Sequence, residues 1–416
     1  MRRQHSERAD RLGADTDGLP LRRPSTVQLP PLPALIASLG VPGEVEFPDG
    51  RVLPTGDGDP AFRVTFRSPG ALYTSLTGLA VGRAYVDKEI EVCGDFGALL
   101  DLRTGLRSGV DLTQKLRFAF HFLRSTTSMN ARAINQHYSL GDDFYLSFID
   151  RRYRFYSHGI FQSDDESLEE ASEHKLESMF TSLGLEPGMR LLDIGAGWGG
   201  VTEYCGARGV HVTSVTLSED SGRYIRRLID EKGLPGEVFV EDFLDHRPIE
   251  PYDHAVIYGV IEHLPNYRRF AVAAWDVLRP GGRLYLDASA AVEKYTMSAF
   301  AREYIWRGTH CFLSVQDIIQ ELLIHGFELV DLRRETHDYE LTIQGWAQRL
   351  DAARDKIIAG WGEQTYRAFR LFLWGGAHAF RTNRLQAYHL VAQRRADRGP
   401  RLGLTRRLAQ VVGSLR

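Results

Sequence analysis

The chain has 416 residues, 43% of them hydrophobic and 25% charged, which is typical of a globular protein large enough for two or three cores. The formal net charge of −3 excludes the strongly basic balance of a general nucleic-acid binder. Cys93, Cys205 and Cys311 are widely spaced and form neither a zinc pattern nor a disulfide framework, which favours a reducing cytoplasm. No apolar run reaches the ~18 residues of a transmembrane helix.

The first part of the chain predicts a leader followed by a small domain. Residues 1–30 carry charges without an apolar core, so we interpret them as a disordered leader and not as a signal peptide. Residues 31–115 predict a small α+β N-terminal domain. Within it, "VEFPDGRVLP" indicates a hairpin, "FRVTFRSPGALYTSLTG" a strand and then a helix, and "GRAYVDKEIEVCGDFGALLDLR" a short sheet entering a helix.

Residues 116–393 predict a larger α/β domain. After a helical stretch to about residue 150, "SDDESLEEASEHKLESMFTSLGLEPG" reads as a helix capped by Ser163 and ended at Gly184. Strand and helix patterns then alternate from residue 190 to about 290, which predicts a parallel sheet with helices on both faces. Later, "YIWRGTHCFL" and "FRLFLWGGAHAF" read as helices and "FELVDLRRE" as a strand, before a basic tail at 394–416 with seven arginines.

A glycine-rich turn follows the first strand of this alternation. In "RLLDIGAGWGG", Gly195, Gly197 and Gly199 let the backbone turn sharply and approach a ligand. Such a turn alone is weak evidence, because it also serves close packing of a strand on a helix. Asp193 inside the strand gives the pattern of S-adenosylmethionine (SAM) methyltransferases, where the acid serves the amino-acid end of the cofactor. Thr216 to Ser221 are then placed over the ribose.

Several further motifs occur together in one chain. They are "HYSLGDDFYLSFID", "FYSHGIF", "LEPGMRLLDIGAGWGG", "VTLS", "GVIEHLPNYRRF", "LRPGGRLYL" and "FLWGGAHAFRTNRLQAYHLV". Over roughly residues 65–392 the sequence resembles the cyclopropane-fatty-acid and mycolic-acid cyclopropane synthases, a family of SAM-dependent lipid methyltransferases. The resemblance implies a Rossmann-like class I methyltransferase sheet with helical lipid-binding insertions. It implies as substrate an unsaturated acyl chain attached to a membrane phospholipid.

The resemblance also places the cofactor. Carried over position by position, the implied SAM contacts are Tyr156, Ser157, Asp193, Gly195, Gly197, Thr216, Leu217, Ser221, Asp242 and Phe243. The family often has Gln at the position of Ser221. Because the serine side chain is shorter than that of Gln, we expect it to reach the ribose through water. Tyr156 has the alternative reading of a core aromatic, and Asp242 that of a helix cap.

The chemistry requires that an alkene attack a sulfonium methyl group, which leaves a carbocation that must be kept from water. Aromatic residues suit the wall of such a pocket. The candidates are Tyr138, Phe144, Tyr145, Tyr156, Phe161, Trp306 and Trp374, some of which we expect to be core packing.

In the resembled family a bound bicarbonate takes the proton from the cation, and four of its five ligand positions are altered here. The Glu is kept as Glu262, whereas the Cys, His and Ile positions become His158, Asp287 and Ser289. The Tyr position becomes Leu371 or Phe372. We expect Glu262 and Asp287 to face the pocket, which would disfavour bicarbonate by like charge.

A protein group is therefore expected to replace bicarbonate as the base. The first candidate is His158, polarised by Glu262, and the second is His137, because imidazole titrates near neutral pH. Asp287 and Tyr258 complete the candidate catalytic set. His158 has the alternative reading of a structural histidine, and His263 is expected to cap or pack rather than to catalyse. No metal site is predicted.

An altered base favours a 10-methylene product over a cyclopropane. Relatives that resemble this chain make 10-methylene chains, which a separate reductase converts to 10-methyl (tuberculostearic-type) acids. The resemblance also implies a homodimer. We expect a cytoplasmic protein at the inner face of the membrane, contacting lipid through "QKLRFAFHFLR" (114–124) and the basic tail; both stretches are equally consistent with partner-facing helices.

Two readings of a different class remain open from the sequence. With four ligand positions changed, the chain is either a SAM-binding lipid protein with little catalysis or a methyltransferase of another acceptor on the same fold. The retained Glu262 and the intact glycine turn argue against an inactive protein. A nucleic-acid methyltransferase is not expected, because the basic residues form no stripe along the SAM domain.

Overall fold

The computed structural model describes residues 29–106, 140–306 and 310–397, together with Val412. Two sheets organise these residues: a four-stranded sheet in the order β2-β1-β3-β4 and a seven-stranded sheet in the order β10-β11-β9-β8-β5-β6-β7. Among the described helices, none combines the length and the apolar character that crossing a bilayer requires.

The four-stranded sheet belongs to residues 29–106, here called the N-terminal region. Its elements are α1 (Pro31–Ala37), β1 (Gly43–Glu46), β2 (Val52–Thr55), β3 (Phe62–Phe66), α2 (Gly78–Val86), β4 (Ile90–Gly94) and α3 (Leu102–Gly105). The predicted hairpin is confirmed as the antiparallel pair β1–β2. The short sheet predicted from "GRAYVDKEIEVCG" is partly wrong, because its first residues continue α2. Thr77 caps that helix by accepting a hydrogen bond from the amide of Ala80.

The remaining elements surround the seven-stranded sheet. They are α4 (Asp142–Tyr145), α5 (Leu168–Leu183), β5 (Arg190–Ile194), α6 (Gly200–Gly206), β6 (His211–Thr216), α7 (Glu219–Lys232), β7 (Gly236–Val240), β8 (Tyr252–Tyr258), α8 (Tyr267–Val277), β9 (Leu278–Ala290), α9 (Ala299–Tyr304), α10 (Val315–Ile324), β10 (Phe327–Arg334), α11 (Thr336–Ala352), α12 (Arg354–Trp361), α13 (Glu363–Arg381) and β11 (Gln386–Arg394).

The predicted parallel α/β sheet is confirmed. Strands β5 to β9 pair in parallel, while β11 runs antiparallel between β9 and β10. Neighbouring Leu191 and Leu192 are fully buried in different core clusters, as expected for a strand covered on both faces. The carboxyl ends of β5, β6, β7 and β8 lie side by side. In open α/β sheets this edge is where ligands bind.

Two helix predictions need correction. Helix α5 begins later than expected: Ser167, not Ser163, is its N-cap and forms a capping box with Glu170, while Gly184 ends it in the left-handed conformation as predicted. In its described part, the stretch "YIWRGTHCFL" is helical only at its first residue, Tyr304. Helix α9 ends at Tyr304, and Leu313 instead forms a parallel bridge with Ala290 beside the main sheet.

The N-terminal region packs directly on the larger one. The buried side chain of Arg367 on α13 donates hydrogen bonds to the carbonyls of Tyr85 (2.6 Å) and Ile90 (3.3 Å) and pairs with Glu91. Helix α2 approaches so closely that a Cβ atom on Gly82 would lie 2.4 Å from the ring of Phe300. The contact between the two regions is specific, because it combines hydrogen bonds to backbone carbonyls with the close approach of a helix backbone.

Candidate active site

The glycine turn between β5 and α6 has the conformation expected of a ligand-binding loop. Gly195, Gly197 and Gly199 have φ angles of 80°, 52° and 74°, a region that side chains other than glycine rarely enter. A Cβ atom on Gly195 would lie 2.4 Å from Val260, whereas one on Gly197 would meet nothing within 4 Å. The turn is therefore packed on one side and open on the other.

Asp193 precedes this turn and offers a charged acceptor. Its side chain is 2% exposed, and the described residues give its Oδ2 atom no hydrogen-bond partner. Burial raises the pKa of Asp193 to about 7. A buried carboxylate oxygen without a donor is costly, and a cationic ligand group would relieve that cost. This acceptor and the open face of the turn fit the amino-acid end of SAM.

The predicted ribose positions lie at the end of the adjacent strand. Thr216 ends β6, Leu217 follows it, and Ser218 caps α7 by accepting a hydrogen bond from the amide of Ser221 at 3.2 Å. This cap fixes the start of α7 beside the glycine turn. Ser221 itself is almost buried, so its side chain faces the protein interior at this edge of the sheet.

The predicted adenine positions follow β7, the next strand along. The Asp242 carboxylate accepts a hydrogen bond from the amide of Leu244 at 2.9 Å, so the cap that was its alternative reading is present. Phe243 is buried against Phe270. The structure thus brings the predicted contacts after β5, β6 and β7 to one edge of the sheet.

The two predicted cofactor contacts before α5 differ in their surroundings. The Tyr156 ring stacks on Trp346, with the ring centres 5.1 Å apart, and it lines a cavity described below. The Ser157 hydroxyl accepts a hydrogen bond from Lys175 Nζ at 2.6 Å and is nearly buried. Tyr156 is therefore positioned to contact a ligand, while the Ser157 oxygen already has a strong donor.

A mainly apolar cavity of about 750 Å³ reaches this edge of the sheet. Its volume lies within the ~300–1,000 Å³ range of small-molecule sites. Of the described residues that line it, only Glu262 and Arg384 carry a full charge, and Arg384 is exposed. A long aliphatic group fits such a lining. The polar lining near Glu262 comprises Tyr156, His263, Ser289, His310 and Tyr339.

Glu262 lines this cavity and has a buried acceptor atom without a partner among the described residues. Its Oε1 accepts hydrogen bonds from the amide (2.9 Å) and the hydroxyl (2.8 Å) of Ser289, whereas Oε2 has no partner among the described residues. Burial raises the pKa of Glu262 to about 7, against the lowering effect of these hydrogen bonds. A carboxylate of this pKa in an apolar cavity can accept a proton near neutral pH.

His263 also lines the cavity, which the sequence did not lead us to expect. Its ring lies 5.3 Å from both Trp306 and His310, measured between ring centres. Burial lowers the pKa of His263 to about 4. The ring is therefore neutral at physiological pH and is a much weaker base than Glu262.

Asp287 does not face the cavity, so that expectation is wrong. Its Oδ2 atom lies 2.6 Å from Lys175 Nζ, and its Oδ1 accepts a hydrogen bond from the amide of Gly259 at 2.9 Å. Lys175 is itself buried beneath the ring of Tyr258, with Nζ 4.0 Å from the ring centre. The charge of Asp287 is thus balanced inside the protein, and the predicted repulsion between two pocket carboxylates does not arise.

The predicted pairing of His158 with Glu262 is also wrong. His158 is fully buried, and its Nε2 lies 2.7 Å from Glu335, which also bonds Nδ1 of His389. Burial alone would raise the pKa of Glu335, but the hydrogen bonds and the charges of these two histidines hold that pKa below its usual range. His158 is separated from the cavity by Tyr339, on whose ring it stacks. It is positioned to orient Tyr339 rather than to touch a ligand.

Of the remaining catalytic candidates, Tyr258 does not take part in this site. Tyr258 is buried with its ring against Lys175, away from the cavity lining, and burial raises its pKa well above the usual value. His137 lies outside the described residues, as do Tyr138 and the stretch 114–124. Because the positions His158 and Asp287 are held by internal partners, the described residues do not form the anion site that the resemblance implies for bicarbonate.

The predicted aromatic wall is correct for only part of its members. Tyr156 and Trp306 line the cavity, whereas Phe144 and Tyr145 are fully buried in the neighbouring core. Trp374 donates a hydrogen bond to Asp351 at 3.1 Å. The aromatic lining that the sequence analysis missed includes Phe300, Phe312, Tyr339, Trp346 and Phe372.

The fold and the turn together define a class I SAM-dependent methyltransferase with an apolar cavity beside the cofactor site. Residues 125–390 match the family described as mycolic acid cyclopropane synthetase, and the chain belongs to that family. It is therefore a SAM-dependent C-methyltransferase.

Individual relatives agree with this assignment. The chain is 30% identical over 290 residues to a protein named as a probable fatty acid methyltransferase of Mycobacterium tuberculosis, covering 68% of this chain and 67% of the relative. It is also 30% identical over 271 residues to the cyclopropane-fatty-acyl-phospholipid synthase of Escherichia coli K12, covering 64% and 69%. The crystal structure of the mycolic acid cyclopropane synthase CmaA1 with SAH and CTAB matches with a TM-score of 0.59 and 25% identity, covering 64% of this chain and 98% of that one.

Proposed function

We propose that this enzyme adds a methyl carbon to the double bond of an unsaturated acyl chain in a membrane phospholipid, and that the product is a 10-methylene chain. The observation that carries the proposal is the buried carboxylate of Glu262, which lines a mainly apolar cavity and whose Oε2 has no partner among the described residues. The relatives named above supply the acyl-lipid substrate class. Bound SAM supplies an electrophilic methyl group.

The cofactor and the alkene are proposed to meet between the glycine turn and Glu262. Asp193 binds the amino group of SAM, the turn at Gly195 and Gly197 lets the cofactor approach the protein backbone, and Tyr156 lies where the cofactor meets the cavity. The alkene π electrons form a bond to the methyl carbon while the carbon–sulfur bond breaks and leaves its electron pair on sulfur. The positive charge is then on the other alkene carbon, within a lining that excludes water.

The residues near Glu262 are proposed to decide how this charge is removed. A hydride shift moves the cation to the methylated carbon, and Glu262 Oε2 takes a proton from the new methyl group, which gives an exocyclic methylene. The same proton loss without the shift closes a cyclopropane. The altered bicarbonate positions support a base fixed in the protein, and a fixed carboxylate favours the methylene course in our proposal.

The test is to incubate unsaturated phospholipid with the enzyme and methyl-labelled SAM, and to analyse the released fatty acids by mass spectrometry. We expect a labelled acid heavier by one CH₂ that takes up two hydrogens under hydrogenation mild enough to spare cyclopropanes. A labelled acid inert to this treatment would be a cyclopropane and would contradict the methylene proposal. Label in a soluble acceptor and none in lipid would contradict the acyl-chain substrate.

A further inference from the structure

The cavity that contains Glu262 does not end within the methyltransferase sheet. It continues past α2 into the N-terminal region, so that one cavity is lined by both parts of the chain. The lining residues from the N-terminal region include Leu32, Ile36, Val64, Tyr85, Phe96 and Leu99.

The passage between the two parts lies beside α2. Gly82 is the point of closest approach: a Cβ atom there would lie 2.4 Å from Phe300 and 3.3 Å from Leu371, and all three residues line the cavity. Glycine at position 82 lets the α2 backbone pack against Phe300, and a larger residue there would push into these lining side chains.

The far end of the cavity is closed and uncharged. Leu32 is 1% exposed, and Val64 is 2% exposed, so this end lies in the core of the four-stranded sheet. No described residue of the N-terminal region that lines the cavity carries a charge. Such an end can hold hydrocarbon, whereas an ester or phosphate there would lose its hydration without a partner.

We propose that the core of the N-terminal region holds the methyl-terminal segment of the substrate acyl chain and measures its length. This inference rests on the proposed function. A phospholipid head group must stay at the exposed end, where Arg384 lies, so the chain enters with its methyl end leading. When the methyl end reaches the closed end near Val64, the double bond stops beside Glu262. The region that precedes the methyltransferase sheet thus sets which carbon is methylated.

Val64 and Val45 provide a matched pair of variants. They face each other in register on the parallel strands β3 and β1, and both are buried, but only Val64 lines the cavity. Val64→Phe should extend into the cavity and shorten it. Val45→Leu changes the same core without touching the cavity and is the control for nonspecific repacking.

The experiment measures kcat/KM of the full-length enzyme on phospholipids whose cis double bond is fixed relative to the ester while the methyl-side segment is lengthened stepwise. For Val64→Phe we expect a loss of about tenfold or more on the longest segment and little change on the shortest, the discrimination typical of one or two methylenes in an apolar pocket. Val45→Leu should keep the wild-type profile.

Leu99→Ala tests the same idea if Val64→Phe does not fold. Removing that lining side chain enlarges the closed end, so we expect a shift of preference toward longer methyl-side segments. If wild-type enzyme labels lipid but both cavity variants keep the wild-type length profile, the proposal that the N-terminal region measures the acyl chain is overturned. The proposed function would remain intact. Absence of lipid labelling by wild-type enzyme would instead overturn the proposed function.

Discussion

Replacing Glu262 with Gln is the most informative single change in this enzyme. The amide oxygen of Gln keeps the acceptor for both hydrogen bonds from Ser289, at 2.9 and 2.8 Å, so the side chain should stay in place. The unpartnered Oε2 is replaced by NH₂, which cannot take up a proton. General-base catalysis is worth about 10²–10⁴-fold, so we expect kcat to fall by about that factor.

The assay follows transfer of labelled methyl groups into phospholipid as a function of pH. Because Glu262 must be deprotonated to accept a proton, wild-type kcat/KM should rise through about pH 7, the pKa to which burial raises this carboxyl. Glu262→Gln should lose this rise while SAM affinity is retained. A variant with wild-type turnover and the same pH profile would refute the role of Glu262 as proton acceptor.

Ser289→Ala is the partner of that experiment. It removes the hydroxyl that donates to Glu262 Oε1 but leaves the backbone donor. A hydrogen bond to a charged group contributes about 1.5–3 kcal/mol, and one pKa unit corresponds to about 1.4 kcal/mol. The midpoint of the pH profile should therefore move upward by about one to two units. A midpoint that does not move would show that another group controls the profile.

Three further predictions concern the cofactor site and the buried ion pairs. Asp193→Asn should weaken SAM binding by about 10-fold or more in calorimetry without lowering the melting temperature, because a buried charge is removed together with its ligand contact. Lys175→Met should lower the free energy of unfolding by about 3–5 kcal/mol in denaturant titrations, and adding Asp287→Asn should restore much of it. Burial alone would lower the pKa of His389, but the hydrogen bond and the charge of Glu335 raise it above the value of the unfolded chain. The pair therefore stabilises the fold fully at pH values below the unfolded pKa of about 6.5, and this contribution is lost as the pH rises through the pKa of the folded protein. Glu335→Gln should therefore cost more stability at about pH 6 than at about pH 9. The argument for Asp193 would be contradicted by unchanged SAM affinity, and the argument for Lys175 by a double variant that is not rescued. The argument for Glu335 would be contradicted by an equal loss of stability at both pH values.

The sheet and the cofactor edge were predictable because both follow from local patterns. Alternating buried strands and helices from Arg190 onward fix a parallel sheet, and its topology brings the residues after β5, β6 and β7 together. The glycines at 195 and 197 are recognisable in the sequence, because glycines at this spacing after a strand indicate a turn with positive φ angles, which the structure has.

The surroundings of the catalytic candidates were not predictable, because they depend on contacts between distant parts of the chain. Lys175 looks like one more charged residue of a surface helix, yet it is buried against Asp287, more than a hundred positions away. Glu335 follows a late strand without any motif, and it displaces Glu262 as the partner of His158. The only sequence signal for Lys175 is its place among Ala171, Leu176 and Met179 on the buried face of α5.

The shared cavity was likewise invisible in the sequence. The apolar residues of the N-terminal region read as an ordinary small core, and nothing in their spacing shows that the core stays partly unfilled. Among the described elements, the approach of α2 to α9 and α13 joins this space to Glu262.

The number of deuterium atoms retained in the product tests the central claim most directly. With SAM carrying a fully deuterated methyl group, mass spectrometry of the product acid counts how many of the three deuterons remain. The account predicts two, because attack by the alkene is followed by loss of one deuteron from the transferred methyl group to Glu262. An acid that retains all three deuterons, or a lipid that carries no label, would contradict it.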